Sequence, residues 1–225
     1  AGNAAVLAAD GLGLAHTYSG LGATTIANGA TLTVAPGGAN VTFGTAATFA
    51  GAGAGNGTLN INNAAANTTF EGVIGGGGNK LAAITVKADS RAVFTGNVNA
   101  TLTTLTDHAT TALTIGGAAT TTAWTGDIDV ANRGAVSTLG TSSTITGNVT
   151  LGGVAGASTF TTGATTNLIT GNVALTTAVN SQFLVTKNTT VAGNITGLGV
   201  TKVTDAMTLT IDATAADRTI GNIIT

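Results

Sequence analysis

Short segments of the chain alternate apolar and polar residues, and turn-forming glycines stand between them. Alternation with a period of two is typical of a strand that buries one face, because successive side chains point to opposite sides. Thr and Val favour strands, and paired glycines permit tight turns. The pattern predicts short, half-buried strands at Thr31–Val34, Thr58–Ile61, Ile84–Ala88, Ala112–Gly117 and Met207–Ile211.

A second pattern recurs along most of the chain: an apolar residue, any residue, glycine, any residue and a second apolar residue. Neighbouring copies are 21 to 30 residues apart, with a mean spacing of about 24. A period of this length is typical of a β-solenoid whose coils each contain about three short strands. The copies therefore predict about eight coils, centred on Gly51, Gly72, Gly96, Gly126, Gly147, Gly171, Gly193 and Gly221.

Most copies have a bulky residue two positions before the glycine. If every copy occupies the same side of its coil, these side chains form one inward column in which like residues stack. Trp124, the only tryptophan, would be the widest member of this column. An antiparallel β-sandwich or jelly roll is the alternative fold. The predicted column comprises Phe49, Phe70, Phe94, Trp124, Ile145, Ile169 and Val191.

The repeat predicts one β domain over residues 1–225, because no linker-like segment divides the chain. The repeat body covers residues 16–225. Residues 1–15 lack the motif and are interpreted as a cap or a tail.

Composition supports an all-β chain and limits the kinds of partner. The chain has 48 threonines, 34 glycines and one proline, and a mean hydropathy of +0.42 with 7% charged residues argues against disorder. The net charge is −2, and the seven Lys and Arg residues are scattered, so no nucleic-acid partner is predicted. No apolar run approaches the ~20 residues of a membrane-spanning helix, so no membrane insertion is expected. Without cysteine the chain forms no disulfide.

The recurring TGNV units, with the variants AGNI and IGNI, lie in a background rich in Ala, Thr, Gly and Asn and free of cysteine. In these features the chain resembles the passenger regions of bacterial autotransporters, and above all the rickettsial outer-membrane surface antigens. The resemblance covers about residues 49–225. It implies a right-handed β-helical passenger that a C-terminal β-barrel exports and that the cell displays as a coat and adhesin. The chain would then be a released or truncated passenger with an extracellular location.

Two pairs of titratable residues are the candidates for chemistry. Asp107 and His108 are adjacent and form a candidate acid–base pair, although a solvated turn explains them equally well. Asp127 and Asp129 lie two apart on one strand face, where they would bind a cation or flank a glycosidic bond. Because Asp127 takes the position of Asn in neighbouring repeats, an outward polar ladder is the favoured interpretation. The other histidine, His16, lies near the N-terminus. We therefore expect no catalytic, cofactor-binding or metal-binding residues.

Two further patterns are weaker. Thr-x-Thr pairs occur in ice-binding solenoids, but here they do not recur once per coil; they are Thr31/Thr33, Thr101/Thr103 and Thr208/Thr210. Seven Asn-x-Thr sequons are only slightly more than composition alone predicts. They begin at Asn40, Asn56, Asn67, Asn99, Asn148, Asn188 and Asn194.

The expected function is that of a non-enzymatic cell-surface protein, a solenoid that forms a coat or acts as an adhesin. Nearly uncharged strand faces pack well against copies of themselves, so homotypic assembly and a host or surface receptor are the expected partners. The alternative is a subunit of a self-assembling extracellular filament or surface layer. In that case the apolar segment Ala4–Ala9 would join a neighbouring subunit by strand addition.

Overall fold

The described part of a computed structural model covers residues 5–7, 16–18, 21–178, 180–212 and 220–224. Within these ranges the chain forms β-strands and no helix, and every ladder between strands is parallel. The strands stack into a β-solenoid of about eight turns, which confirms the predicted fold class. The alternative of an antiparallel sandwich or jelly roll is wrong, because each strand pairs with its equivalent in the next coil. No helix able to span a membrane occurs in the described ranges.

The strands are short and evenly distributed along the chain. The first twelve are β1 (Ala5–Leu7), β2 (His16–Tyr18), β3 (Ala23–Ile26), β4 (Thr31–Val34), β5 (Val41–Phe43), β6 (Thr48–Gly51), β7 (Thr58–Ile61), β8 (Asn67–Phe70), β9 (Leu81–Val86), β10 (Arg91–Phe94), β11 (Val98–Leu105) and β12 (Ala112–Ile115). The others are β13 (Thr121–Val130), β14 (Gly134–Thr138), β15 (Ser142–Thr146), β16 (Val149–Leu151), β17 (Ser158–Thr162), β18 (Thr166–Ile169), β19 (Val173–Leu175), β20 (Ser181–Val185), β21 (Thr189–Val191), β22 (Ile195–Val203), β23 (Leu209–Ile211) and β24 (Ile220–Ile224).

Each coil contributes to three parallel sheets, and β11, β13, β22 and β24 each continue from one sheet into another. The first sheet contains β1, β4, β7, β9, β16, β19 and segments of the four long strands. The second contains β2, β5, β8, β10, β12, β14, β17, β20 and the C-terminal parts of β22 and β24. The third contains β3, β6, the N-terminal parts of β11 and β13, β15, β18, β21 and β23.

Alternate residues of these strands point into the solenoid, as the period of two predicts. In β4, β7 and β12 the second and fourth residues are buried and the first and third are half-buried. The predicted segments at residues 31–34, 58–61 and 112–117 coincide with these strands. The segments at 84–88 and 207–211 overlap β9 and β23.

Aromatic rings fill the core of the first coils. The rings of Phe43, Phe70 and Phe94 stack along the axis, with centroids 5.1 and 4.9 Å apart and nearly parallel planes. Trp124 is fully buried and packs edge-on against Phe94 at 5.4 Å, so it is a core residue as predicted. Such pairs add about 0.5–1.5 kcal/mol each beyond the burial of their area.

The prediction of one inward column is wrong, because its members lie in two sheets. Phe70 and Phe94 belong to the second sheet, where they pair in register with each other. Trp124 and Ile145 pair in the third sheet. The residue of the third sheet that pairs with Trp124 in the preceding coil is Val98. The third-sheet row in the described residues begins at Thr24 and continues through Phe49, Ile74, Val98, Trp124, Ile145, Ile169, Val191 and Ile211.

The physical reason is that the glycines of the repeat occupy different corners. Gly72 and Gly96 lie between the second and third sheets, whereas Gly147 and Gly171 lie between the third and first. Every corner of a three-sided coil needs a tight change of direction between two inward apolar residues. The same five-residue pattern therefore arises at more than one corner, with a similar period.

A buried amide closes one of the corners between the first and second sheets. The Asn63 side chain is fully buried. Its Nδ2 atom donates to the Ala39 carbonyl at 2.8 Å and to Thr68 Oγ1 at 3.1 Å. Its Oδ1 atom accepts from the backbone N–H of Gly38 at 3.1 Å. The backbone N–H of Asn63 donates to Ser90 Oγ at 2.9 Å. This one residue thus satisfies polar groups in three successive coils, and unpaired buried polar groups are costly.

Candidate functional site

A concavity with a volume of about 500 Å³ runs along the outer face of the first sheet. One row of its lining lies at the corner and consists of Asp127, Asn148, Asn172 and Asn194. A second row forms its floor and consists of Asp129, Thr150, Ala174 and Thr196, which pair in register across four coils. Leu102 lies at one end. We call this concavity the asparagine trough.

The corner row is a ladder of side chain to backbone hydrogen bonds. Asp127 Oδ1 accepts from the backbone N–H of Asn148 at 2.8 Å, and Asn148 Oδ1 accepts from that of Asn172 at 3.0 Å. Asn172 Oδ1 in turn accepts from the backbone N–H of Asn194 at 2.8 Å. Each side chain therefore replaces a sheet hydrogen bond at a place where the strand turns away. The predicted outward polar ladder is confirmed at these positions.

The glycine before each ladder residue is required by the close approach of the preceding coil. A Cβ on Gly171 would lie 2.5 Å from the carbonyl carbon of Gly147 and 2.9 Å from the backbone nitrogen of Asn148. A Cβ on Gly193 would meet Asn172 N at 2.8 Å. Real Cβ atoms do not approach backbone atoms so closely. The Gly-Asn pair of the repeat is thus a corner motif, in which glycine allows the contact and asparagine caps the next coil.

Two carboxylates stand at one end of the trough. Asp127 is exposed, and both hydrogen bonds that it accepts from Asn148 go to Oδ1. Asp129 is half-buried in the floor, and burial raises the pKa of its carboxyl group. Asp129 has no ion pair or side-chain hydrogen bond with any other described residue. The end of the trough therefore holds a half-buried acid for which the described residues provide no ion-pair partner.

The Asp107–His108 pair is not arranged as an acid–base pair. Arg133 Nε donates to Asp107 Oδ1 at 2.7 Å, and this hydrogen bond and the arginine charge lower the pKa of Asp107. His108 Nδ1 instead lies 2.9 Å from Thr110 Oγ1, which donates to Asp89 in the preceding coil. The two neighbours thus face different partners in a corner. His16 lies in β2, and its side chain is outside the described residues.

The remaining sequence candidates do not converge on one surface. Thr31 and Thr33 lie on the first sheet, and Thr208 and Thr210 are at β23 of the third. Thr103 is fully buried, so its Thr-x-Thr pair cannot contribute to an outward array. Among the sequon asparagines, Asn148 and Asn194 belong to the ladder, and Asn40 and Asn188 cap backbone N–H groups at other corners. Within Ala4–Ala9, the described residues Ala5–Leu7 pair with β4 of the same chain.

Sequence reasoning identified Asp127 and Asp129 but missed the trough that contains them. The signal was present in the sequence. Asn follows the repeat glycines Gly147, Gly171 and Gly193, whereas Asp127 follows Gly126. The concave shape depends on the register of the floor row, which the sequence does not display. Among the described residues, no group of three or more His, Asp or Glu side chains is placed to hold a metal ion.

The fold and the trough define a β-solenoid with a polar surface groove that runs along its axis. Comparison with known protein families, with curated protein sequences and with solved structures finds no match for the chain.

Proposed function

We propose that the chain is a non-enzymatic structural and adhesive protein of the cell surface, of the autotransporter-passenger type. The solenoid acts as a rod that holds the asparagine trough and other polar faces away from the cell. The observation that carries this proposal is the trough itself, where four consecutive coils present polar side chains in two regular rows. Contacts spread over repeated side chains are suited to adhesion to an extended surface.

Rigidity supports the same role. Strands in the interior of the stack bond to their equivalents in the coils on both sides. The corner ladder adds hydrogen bonds between coils where the sheets are interrupted. In repeat architectures of this kind, stability is a sum of contacts between neighbouring repeats, so length can grow without a larger core. A structure of this type keeps its shape far from its attachment point.

Adhesion of beads coated with the purified chain tests the proposal. We expect coated beads to attach to host cells or matrix under flow, and Thr150→Lys with Thr196→Lys to reduce attachment by blocking the trough. Thr161→Lys on the outer face of the second sheet is the matched control. Antibodies against the chain should label intact cells of the source organism without permeabilisation. Absence of both attachment and surface labelling would reject the proposal.

A self-assembling filament or surface layer is the second candidate, and the last described coil favours it. Ile220 pairs with Ile195 and Ile223 pairs with Thr201. Ile195 and Thr201 are fully buried, whereas Ile220 is 42% exposed and Ile223 is 44% exposed. A further coil would cover them, and in this candidate a second copy stacked on the last described coil supplies it. This mode differs from strand addition by the N-terminal segment, because β1 is already paired with β4. Polymers seen by electron microscopy that disappear with Ile220→Lys would support it, and purely monomeric wild-type protein would exclude it.

A further inference from the structure

The asparagine trough has the geometry of a site for a chain that runs along the solenoid axis. Its rows repeat at the strand spacing of ~4.8 Å, so four coils provide about 14 Å of contact. The floor segment of β13 is paired on both sides, with β11 and with β16. Its backbone groups are therefore occupied, and a peptide cannot bind there by adding a strand. Recognition in the trough has to use side chains.

The side chains along most of the trough are neutral and hydrogen-bonding. The corner row offers the side-chain NH₂ groups of Asn148 and Asn172, whose Oδ1 atoms accept the ladder bonds, and the floor offers hydroxyl groups at Thr150 and Thr196. Amides and hydroxyls both donate and accept hydrogen bonds. The ligand that matches such rungs carries hydroxyl groups at regular intervals, which describes a linear carbohydrate.

The Asp127–Asp129 end adds a requirement for positive charge. Asp129 is half-buried and pairs with no other described residue, and burying a carboxylate is unfavourable unless a cation or hydrogen-bond donors compensate it. Asp127 accepts the ladder hydrogen bonds through Oδ1, so its Oδ2 atom can accept a hydrogen bond from a ligand. A primary ammonium group placed between the two aspartates would pair with both.

We propose that the asparagine trough binds a linear oligosaccharide of amino sugars, with sugar hydroxyl groups on the Asn and Thr rungs and an ammonium group at Asp127 and Asp129. The inference rests on the adhesive function proposed above and names its ligand. Leu102 and Ala174 supply the apolar contacts that the C–H faces of sugar rings require.

Calorimetric titration of the purified chain with a β-1,4-linked glucosamine tetrasaccharide tests this assignment. The double variant Asp127→Asn/Asp129→Asn removes both charges and keeps the ladder, because asparagine already occupies the equivalent corner positions in the next coils. We expect it to weaken binding at least about tenfold, the loss of one charge-assisted hydrogen bond. Asn172→Ala should weaken binding about threefold or more, and Thr161→Ala, on the second sheet, should leave it unchanged.

Two further ligands make the result decisive. The N-acetylated tetrasaccharide has the same hydroxyl groups without the charge, and spermine has the charge without the sugar. Both should bind at least about tenfold more weakly than the glucosamine tetramer. No binding of the glucosamine tetramer overturns the proposal. If the acetylated tetramer binds as tightly as the glucosamine tetramer, the proposed ammonium contact is wrong. If spermine binds as tightly as the glucosamine tetramer and Asn172→Ala has no effect on binding, the proposed recognition of sugar is wrong.

The failure of this inference is distinguishable from failure of the adhesive function. If coated beads still attach when Asp127→Asn/Asp129→Asn is introduced and the glucosamine tetramer does not bind, adhesion stands and uses another ligand. If the tetramer binds but coated beads do not attach to any surface, the ligand assignment stands and the adhesive function is wrong.

Discussion

Replacement of Gly171 by alanine tests the close contact between coils that explains the repeat. The new Cβ would lie 2.5 Å from the carbonyl carbon of Gly147 and 2.9 Å from Asn148 N, and ordinary van der Waals contact begins near 3.4 Å. The two coils would have to separate locally by about 1 Å, because the atoms in the way belong to the backbone.

The magnitude follows from the bonds on either side of the contact. Separation would stretch the hydrogen bond from Asn172 N to Asn148 Oδ1, now 3.0 Å, and that from Val149 N to the Asn172 carbonyl, now 2.8 Å. Two weakened hydrogen bonds cost about 1 kcal/mol each, and overpacking adds about 1 kcal/mol or more. We expect Gly171→Ala to lower the free energy of unfolding by about 3 kcal/mol. For a chain of this size the melting temperature would fall by about 10 °C.

Circular dichroism gives the melting temperature, and hydrogen exchange should show faster exchange confined to the coils around residues 145–195. Gly22→Ala is the matched control, because a Cβ there meets no atom within 4 Å. Alanine at such a site is neutral or stabilises by up to about 1 kcal/mol, through the unfolded state. If Gly171→Ala is as stable as Gly22→Ala, the coils do not approach as described and the explanation of the glycine repeat fails.

Four more substitutions concern buried or half-buried polar groups, and the effect of each is measured by chemical denaturation. Thr103 Oγ1 is buried without a hydrogen-bond partner among the described residues, so Thr103→Val should stabilise the fold by about 1 kcal/mol. Thr138→Val should instead destabilise the fold by about 2 kcal/mol, because it removes a hydroxyl group that donates to Asn167 Oδ1 at 2.6 Å. Equal effects of Thr103→Val and Thr138→Val on stability would contradict both assignments. Asn63→Ala should cost about 3 kcal/mol by unpairing groups in neighbouring coils, and a loss under about 1 kcal/mol would refute that role. Burial raises the pKa of Asp129 above its ordinary 3.8, so its contribution to stability is greatest below that pH and falls as pH rises through the folded-state value. Asp129→Asn should therefore be more stable than wild type at neutral pH and equal to it in strong acid, whereas a constant difference at every pH would contradict the assignment.

The strands and the three-stranded coil were predictable because their signals are local. Alternation within segments such as Thr31–Val34 depends only on the geometry of an extended chain, and the spacing of the glycines gives the coil length. The corner that each glycine occupies was not predictable. Phe94 and Trp124 precede glycine in the same way, yet one belongs to the second sheet and the other to the third.

The contacts of the candidate site were harder to predict from the sequence, because they join residues in neighbouring coils, more than 20 positions apart in the cases of Arg133 and Asp107. Arg133 pairs with Asp107, and without the register the adjacent His108 was the more obvious partner. The polar ladder was predictable from Asn148 and its equivalents, whereas the half-buried state of Asp129 depends on how the floor row packs.

The stacked rings of Phe43, Phe70 and Phe94, with Trp124 against the last, also determine how the rod responds to pulling. Each coil touches only its neighbours, so tension applied at the ends opens the weakest junction first and then advances coil by coil. The coils after Trp124 have smaller aliphatic residues in the third-sheet row, and among the described residues they contain one stacked ring pair, Phe160 and Phe183 at 5.3 Å in the second sheet. Because the earlier coils hold more ring contacts, we expect the later coils to yield first. Under tension the molecule would therefore lengthen first in the coils that follow Trp124, while the coils that hold Phe43, Phe70 and Phe94 stay folded.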